Sequence, residues 1–288
     1  MSPLPTRVAV IGAGTMGAGI AQAAATAGWT TALTDARPEA LPAARRRIEQ
    51  ALDGAVQRGK LAAADRDAIL GRIRLAPSLR DACEGADLVI EAVLEDLDLK
   101  RDILSQASDW ALPTALLATN TSSISIADLA ADLPRPGRVL GLHFFNPVHL
   151  MKLVEIVLHD GTDAEARDEA LAVSRAMGKE PIVVRDSPGF ASSRLGIALG
   201  LEAMRMLEEG VASAADIDRA MELGYNHPMG PLKLTDLVGL DVRLHIADYL
   251  FQTLGTERFR APDILRRLVA EGKLGKKSGH GFYDWSSP

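Results

Sequence analysis

A short β-branched run, Val8-Ala9-Val10-Ile11, ends in Gly12-Ala13-Gly14-Thr15-Met16-Gly17, and a stretch rich in Ala and Gly follows from Thr15 to Ala27. This strand, turn and helix with G-x-G-x-x-G spacing constrains the chain more than any other feature. The first glycine permits the turn, the second lets backbone amides approach a pyrophosphate, and the third allows the helix to lie close to the strand. The N-terminus of the helix then faces the phosphates. Thr30 to Thr34 reads as the next strand and stops at Asp35. A carboxylate there accepts hydrogen bonds from an adenosine ribose and repels a 2′-phosphate, which favours NAD over NADP. Arg37 nearby tempers that preference.

The same region carries no charged residue from Val8 to Thr34, long enough in principle to span a bilayer. Its glycines, Gln22 and threonines break it into strand, turn, helix and strand. A βαβ unit buried on both faces gives the same charge-free reading. The remaining composition is that of a globular protein, with 47% hydrophobic and 24% charged residues. A net charge of -6 argues against a general nucleic-acid binder. The single cysteine, Cys83, excludes an internal disulfide framework and a cysteine-based metal cluster, and suits a reducing cytoplasm. The N-terminus runs straight into the first strand with no signal peptide, so a cytosolic location is expected.

Further strands are expected at Leu88-Val89-Ile90, at 115–118, from Val139 to Phe144, from Leu153 to Leu158 and at Ile182-Val183-Val184, with helices between most of them. Alternating β and α segments predict an α/β Rossmann-type doubly wound, mostly parallel sheet. Residues 38–74 read as an inserted, alanine-rich helical hairpin with a break near Gly59. Residues 37–74 hold nine Lys or Arg against five acidic residues, a local balance of +4 in a chain of -6. After Asp186-Ser187-Pro188-Gly189 the pattern turns wholly helical. Leu195, Leu199 and Leu207 share one helical face, and Ser213-x-x-Asp216 opens another helix in capping-box fashion. Pro231 and Pro262 sit where first-turn prolines belong. The expected domains are 1–186, α/β, and 187–288, all-α.

Three groups carry candidate chemistry. His143 ends the strand Val139 to Phe144 just before Phe145-Asn146-Pro147, and carboxyl ends of strands line the ligand crevice of an open α/β sheet. Glu155 interrupts an apolar strand, which is costly without a partner. If the chain reverses near Asn146-Pro147, the two face each other, and a His–Glu pair suits general-base catalysis. The bland alternative is a satisfied core histidine beside an edge-strand glutamate. Thr119-Asn120-Thr121-Ser122-Ser123 follows another strand and reads either as a helix-capping turn or as a source of a hydroxyl in the crevice. The basic hairpin is either a solvated face or a site for a polyanionic substrate tail such as that of coenzyme A. The remaining histidines, His149 among them, show no metal-ligand spacing.

At this point the chain resembles the short-chain L-3-hydroxyacyl-CoA dehydrogenases, most closely the bacterial 3-hydroxybutyryl-CoA dehydrogenases. The resemblance rests on VIGAGTMGAGIA at 10–21, IEAVLEDLDLK at 90–100, TNTSS at 119–123, HFFNPVHLMKLVEIV at 143–157, DSPGF at 186–190, HPMGPLKLTDLVGLD at 227–241 and GKKSGHGFY at 275–283. It implies that His143 is the base exchanging a proton with the substrate 3-hydroxyl, that Glu155 holds it and that Ser122 hydrogen-bonds the substrate oxygen. It implies cofactor contacts at Glu95, Lys100, Asn120, Ser122, Asn146 and Lys277, beside the glycine loop and Asp35, and a coenzyme A contact at Arg58. The helical domain resembles the family's dimerisation and substrate-closing half, so a homodimer is expected.

One position departs from the family pattern. Many members carry an asparagine that contacts substrate just before the arginine after Pro-Gly-Phe, and here that residue is Ser193. A hydroxyl is shorter but still donates one hydrogen bond, so activity with altered acyl preference or turnover is expected. The reaction implied is NAD-dependent interconversion of (S)-3-hydroxyacyl-CoA, short-chain and typically 3-hydroxybutyryl-CoA, with 3-oxoacyl-CoA. This step serves fatty-acid oxidation and butanoate formation alike. Two other readings stand beside it: a dehydrogenase of a free hydroxy acid or sugar acid, and a non-catalytic NAD-binding scaffold.

Overall fold

The computed structural model describes residues 4–286. Residues 1–3 and 287–288, the outer ends of the two expected domains and the start of the segment read as lacking a signal peptide, lie outside the described residues. The chain divides into two compact units between Ser187 and Pro188.

The first unit runs β1 (Arg7–Ile11), α1 (Thr15–Thr26), β2 (Thr30–Thr34), α2 (Ala40–Gln57), α3 (Ala63–Gly71), β3 (Ile73–Leu75) and α4 (Leu79–Cys83). It continues with β4 (Leu88–Glu91), α5 (Leu97–Trp110), β5 (Leu116–Thr119), α6 (Ile126–Ala130), β6 (Val139–Phe144), β7 (Leu153–Leu158), α7 (Ala164–Ala176) and β8 (Glu180–Arg185). One sheet holds the strands in the order β3-β2-β1-β4-β5-β6-β7-β8. Every neighbouring pair is parallel except β6 and β7, which form an antiparallel hairpin. The order reverses direction between β1 and β4, and in such sheets ligands lie in the crevice at that point, outside the strands' carboxyl ends.

The charge-free stretch resolves into β1, α1 and β2, with Val8 to Ile11 and Leu33 buried. No helix among the described residues is long and apolar enough to cross a membrane. A Cβ on Gly17 would stand 1.7 Å from the Gly12 carbonyl oxygen, which is why α1 can approach β1 only with glycine there. The hairpin consists of α2 and α3 and ends earlier than the sequence reading has it. Ile73 and Arg74 belong to β3, a parallel strand beside β2. Three residues are too few to show a period of two, and only Arg72 separates Ile73 from the end of α3. Leu41, Ala44, Ile48 and Leu52 form the buried stripe of α2, and each large aliphatic side chain contributes about 1.5–3 kcal/mol through burial.

The second unit is helical: α8 (Ser192–Glu208), α9 (Ala214–Gly224), α10 (Pro231–Val238), α11 (Leu240–Leu254) and α12 (Asp263–Ala270). Ser213 caps α9, its hydroxyl accepting the Asp216 amide. Pro231 opens α10, whereas Pro262 is the N-cap of α12 rather than a first-turn residue. The expected apolar face of α8 is buried only in part: Leu207 packs against a core formed by Ile197, Leu201 and Met204, while Leu195 is 71% exposed. The α8 sequence carries two overlapping apolar stripes, and periodicity alone does not say which one the core takes.

Candidate active site

The glycine turn is held by a carboxylate from the neighbouring strand. Asp35 Oδ2 accepts the Ala13 amide at 2.7 Å, and Oδ1 accepts the Arg37 amide at 2.9 Å. The Arg37 guanidinium, 73% exposed, lies 3.7 Å from the same carboxylate. Gly14 is the N-cap of α1 with no side-chain cap, and the first turn of α1, including Thr15 and Met16, holds no acid. A Cβ on Gly14 would meet nothing within 4 Å. The turn therefore presents uncapped helix amides across open space, which fits a pyrophosphate. Sequence reasoning missed Arg47, whose Nη1 reaches from α2 to the Ala13 carbonyl oxygen at 3.3 Å. Its charge was visible only as part of the basic hairpin.

The other candidate residues lie on β5, β6 and β7, beyond β4 in the sheet. His143 and Glu155 are direct register partners across the β6–β7 pair, and Nδ1 lies 2.7 Å from Glu155 Oε2. Glu155 is fully buried in an interior strand between β6 and β8, not on an edge. The reversal is centred on His149 rather than on Asn146-Pro147, whose peptide bond is cis. The Phe145 ring lies 4.4 Å from that of His143. Asn120, at the end of β5, accepts the Phe144 amide at 2.9 Å through Oδ1, so its side chain ties β5 to the residue after His143.

Ser122 is fixed by Glu95. One carboxylate oxygen, Oε1, takes the Ser122 amide at 2.9 Å and hydroxyl at 3.2 Å, the Thr121 hydroxyl at 2.6 Å, and the Ser123 amide and hydroxyl at 3.1 Å. Burial pushes the Glu95 carboxyl upward, but Lys100 and these donors outweigh it and leave it below the usual range. Lys100, expected at the cofactor, lies behind Glu95. Its side chain is 1% exposed, with the ammonium 2.8 Å from Glu91 and 3.4 Å from Glu95 Oε2. Glu91 was missed because the strand read from sequence stopped at Ile90.

A cavity of about 670 Å³ opens between α1, α2 and the β6–β7 reversal. Ala51, Leu52 and Ala55 line it together with four basic residues, Arg58, Lys60, His149 and Lys179, and no carboxylate. Lys179 donates to the carbonyl oxygens of Val148 and Met151 and so holds the reversal in place. Asn146 faces a smaller cavity with Thr15 and Arg47. No cluster of three His, Cys, Asp or Glu residues fit to hold a metal ion occurs among the described residues. Ser193 and Lys277 belong to the second unit. Ser193 is half-buried in the first turn of α8, and the Lys277 ammonium is 2.6 Å from Asp241.

Residues 7–187 match the family model described as 3-hydroxyacyl-CoA dehydrogenase, NAD binding domain, and residues 189–285 match 3-hydroxyacyl-CoA dehydrogenase, C-terminal domain. The chain is 42% identical to a probable 3-hydroxybutyryl-CoA dehydrogenase of Bacillus subtilis, over 97% of each chain. It is 43% identical to a 3-hydroxybutyryl-CoA dehydrogenase of Mycobacterium tuberculosis, over 99% of this chain and 100% of the relative. The crystal structure of (S)-3-hydroxybutyryl-CoA dehydrogenase PaaH1 from Ralstonia eutropha superposes with a TM-score of 0.94 at 40% identity, covering 98% of this chain and 100% of the other.

Proposed function

The chain belongs to the 3-hydroxyacyl-CoA dehydrogenase family, and we propose on that premise that it interconverts (S)-3-hydroxybutyryl-CoA and acetoacetyl-CoA with NAD. The observation that carries the reading is the buried His143–Glu155 pair at 2.7 Å, at the carboxyl end of β6 and one strand from the turn that holds Ser122. When bound, NAD would supply the hydride acceptor for substrate C3, and NADH the hydride donor in the reverse direction.

In oxidation His143 takes the proton of the 3-hydroxyl as the C3–H bond gives up its electron pair. In reduction it returns that proton to the carbonyl oxygen. Glu155 holds Nδ1, fixes the tautomer and stabilises the imidazolium, which leaves proton exchange to Nε2. Ser122 turns its hydroxyl from Glu95, at 3.2 Å, to the substrate oxygen, while Glu95 keeps the Ser122 amide at 2.9 Å. The Gly12–Gly17 turn, Asp35, Glu95, Asn120, Asn146 and Lys277 hold the cofactor in this reading. Lys100 acts through Glu95, and Ser193 is proposed as an acyl-group contact. The basic cavity takes the anionic nucleotide end of coenzyme A, with Arg58 on its rim; Arg58, Lys60 and Lys179, without a carboxylate in the lining, support that assignment. Pairing of two copies through the helical unit and a cytoplasmic location complete the proposal, and light scattering reads the former.

The test is loss of NADH absorbance with acetoacetyl-CoA, beside free acetoacetate and an NADPH control, for wild type and His143→Ala. Turnover that needs both the coenzyme A tail and His143 is expected. Equal rates on free acetoacetate would move the activity to free hydroxy acids, and NADH binding without turnover on either would leave a scaffold.

A further inference from the structure

Glu91 and Lys100 are both fully buried. Taking two ions out of water costs several kcal/mol for each, and apolar residues of similar volume often serve stability as well or better. The environment of Glu91 points to another role. Its Oε1 accepts the Lys100 ammonium at 2.8 Å and the Val93 amide at 2.5 Å. Its Oε2 accepts the same ammonium at 3.1 Å and the Thr119 hydroxyl at 2.6 Å. Thr119 is the last residue of β5, immediately before the turn 120–123. On the other side of Lys100 stands Glu95 at 3.4 Å, and its free-facing oxygen gathers the donors of Thr121, Ser122 and Ser123. Glu91 thus reaches the Ser122 turn by two routes, one through Thr119 and one through the ammonium it shares with Glu95.

We propose that Glu91 is a positioning residue for the reaction centre: by holding the Lys100 ammonium at the end of β4, it keeps Glu95 extended over the amides of Ser122 and Ser123. This rests on the reading of Ser122 as the substrate's hydrogen-bond donor. Lys100 sits closer to Glu91 than to Glu95, 2.8 against 3.4 Å. With Glu91 neutral, Glu95 becomes the one carboxylate beside a buried ammonium. The attraction then draws it inward, off a turn whose residues Thr121, Ser122 and Ser123 all donate to Glu95.

The experiment compares wild type, Glu91→Gln and Glu91→Gln/Lys100→Met by amide NMR and by kinetics with acetoacetyl-CoA and NADH. In Glu91→Gln the Ser122 and Ser123 amides move upfield as their carboxylate hydrogen bonds weaken, while the Ala13 amide on Asp35 stays in place. For that variant kcat per NADH-binding site falls roughly tenfold or more, with KM for acetoacetyl-CoA within about threefold. The double variant carries neither buried charge and so is expected to fold even if the single one does not. Nothing there draws Glu95 inward, so its Ser122 and Ser123 amides keep their wild-type positions.

Unmoved amides in Glu91→Gln overturn the proposal, as do displaced amides in the double variant. A kcat per binding site equal to wild type in Glu91→Gln, with only the melting temperature lowered, also overturns it by reducing Glu91 to a structural role. Absence of turnover in wild type would instead defeat the functional reading, and the amide shifts would still decide the role of Glu91.

Discussion

Replacing Glu155 by glutamine separates the charge of this side chain from its shape. The amide has the same size and still offers an oxygen to His143 Nδ1, 2.7 Å away in the native pair. What it lacks is the negative charge, in a site where the two side chains are 9% and 0% exposed. Unit charges about 4 Å apart, ring centre to carboxylate, interact by about 4 kcal/mol at an effective dielectric of about 20. That attraction is absent while the imidazole is neutral and complete once it has taken the proton. It therefore lowers the barrier of the step in which His143 acts as base. With the proton between half and fully transferred in the transition state, about 2–4 kcal/mol of stabilisation is lost. At 1.36 kcal/mol per decade that is about a 30- to 1000-fold fall in kcat. The assay is appearance of NADH from (S)-3-hydroxybutyryl-CoA and NAD, with KM for NAD followed in parallel and expected within about threefold of wild type. A folded Glu155→Gln enzyme whose kcat stays within about threefold of wild type would refute the reasoning, because the carboxylate charge would then not reach the transition state.

Gly17→Ala places a methyl 1.7 Å from the Gly12 carbonyl oxygen and is expected to lower the melting temperature and abolish NADH binding. Gly14→Ala meets no atom within 4 Å, so it should melt like wild type yet bind NADH about tenfold more weakly in a fluorescence titration, its methyl standing where the pyrophosphate approaches. Arg58→Ala should raise KM for acetoacetyl-CoA by about 3- to 10-fold at low salt with kcat unchanged, an effect that shrinks as salt is added; an unchanged KM would remove Arg58 from the coenzyme A site. Burial, then Lys179 and Arg58, hold the His149 imidazole below its ordinary value. Its contribution to stability is therefore complete above the unfolded pKa of about 6.5 and lost as the pH falls below it. His149→Gln should flatten the acid side of the melting-temperature curve, and superimposable curves would contradict this.

What the sequence made legible is what local chemistry dictates. Gly12, Gly14 and Gly17 with Asp35 announce the turn and the strand beside it, since each has a steric or charge reason for its position. His143 and Glu155 were legible because an acid inside an apolar strand demands a partner and a nearby reversal supplies one. Arg47 was not legible: a charge on a helix does not say which loop of another element it reaches. Glu91 looked like the residue after a strand, and only the nine-residue return of Lys100 through α5 reveals that it is buried. Leu195 misled because α8 is apolar on two sides, and the three residues of β3 were too short to carry a period.

The β6–β7 hairpin has a consequence for how the molecule is made. Its two partners are close in sequence, so their meeting carries little loop-closure entropy, whereas the parallel strands around them join only after long crossovers. Contacts of low sequence separation are the ones that form fast. The proton-handling pair is thus written into a single local unit of chain, assembled on its own clock, while the glycine turn and the Ser122 turn must wait for the rest of the sheet to find its order. A lineage rebuilding the ligand crevice around such a hairpin would inherit its acid–base chemistry intact.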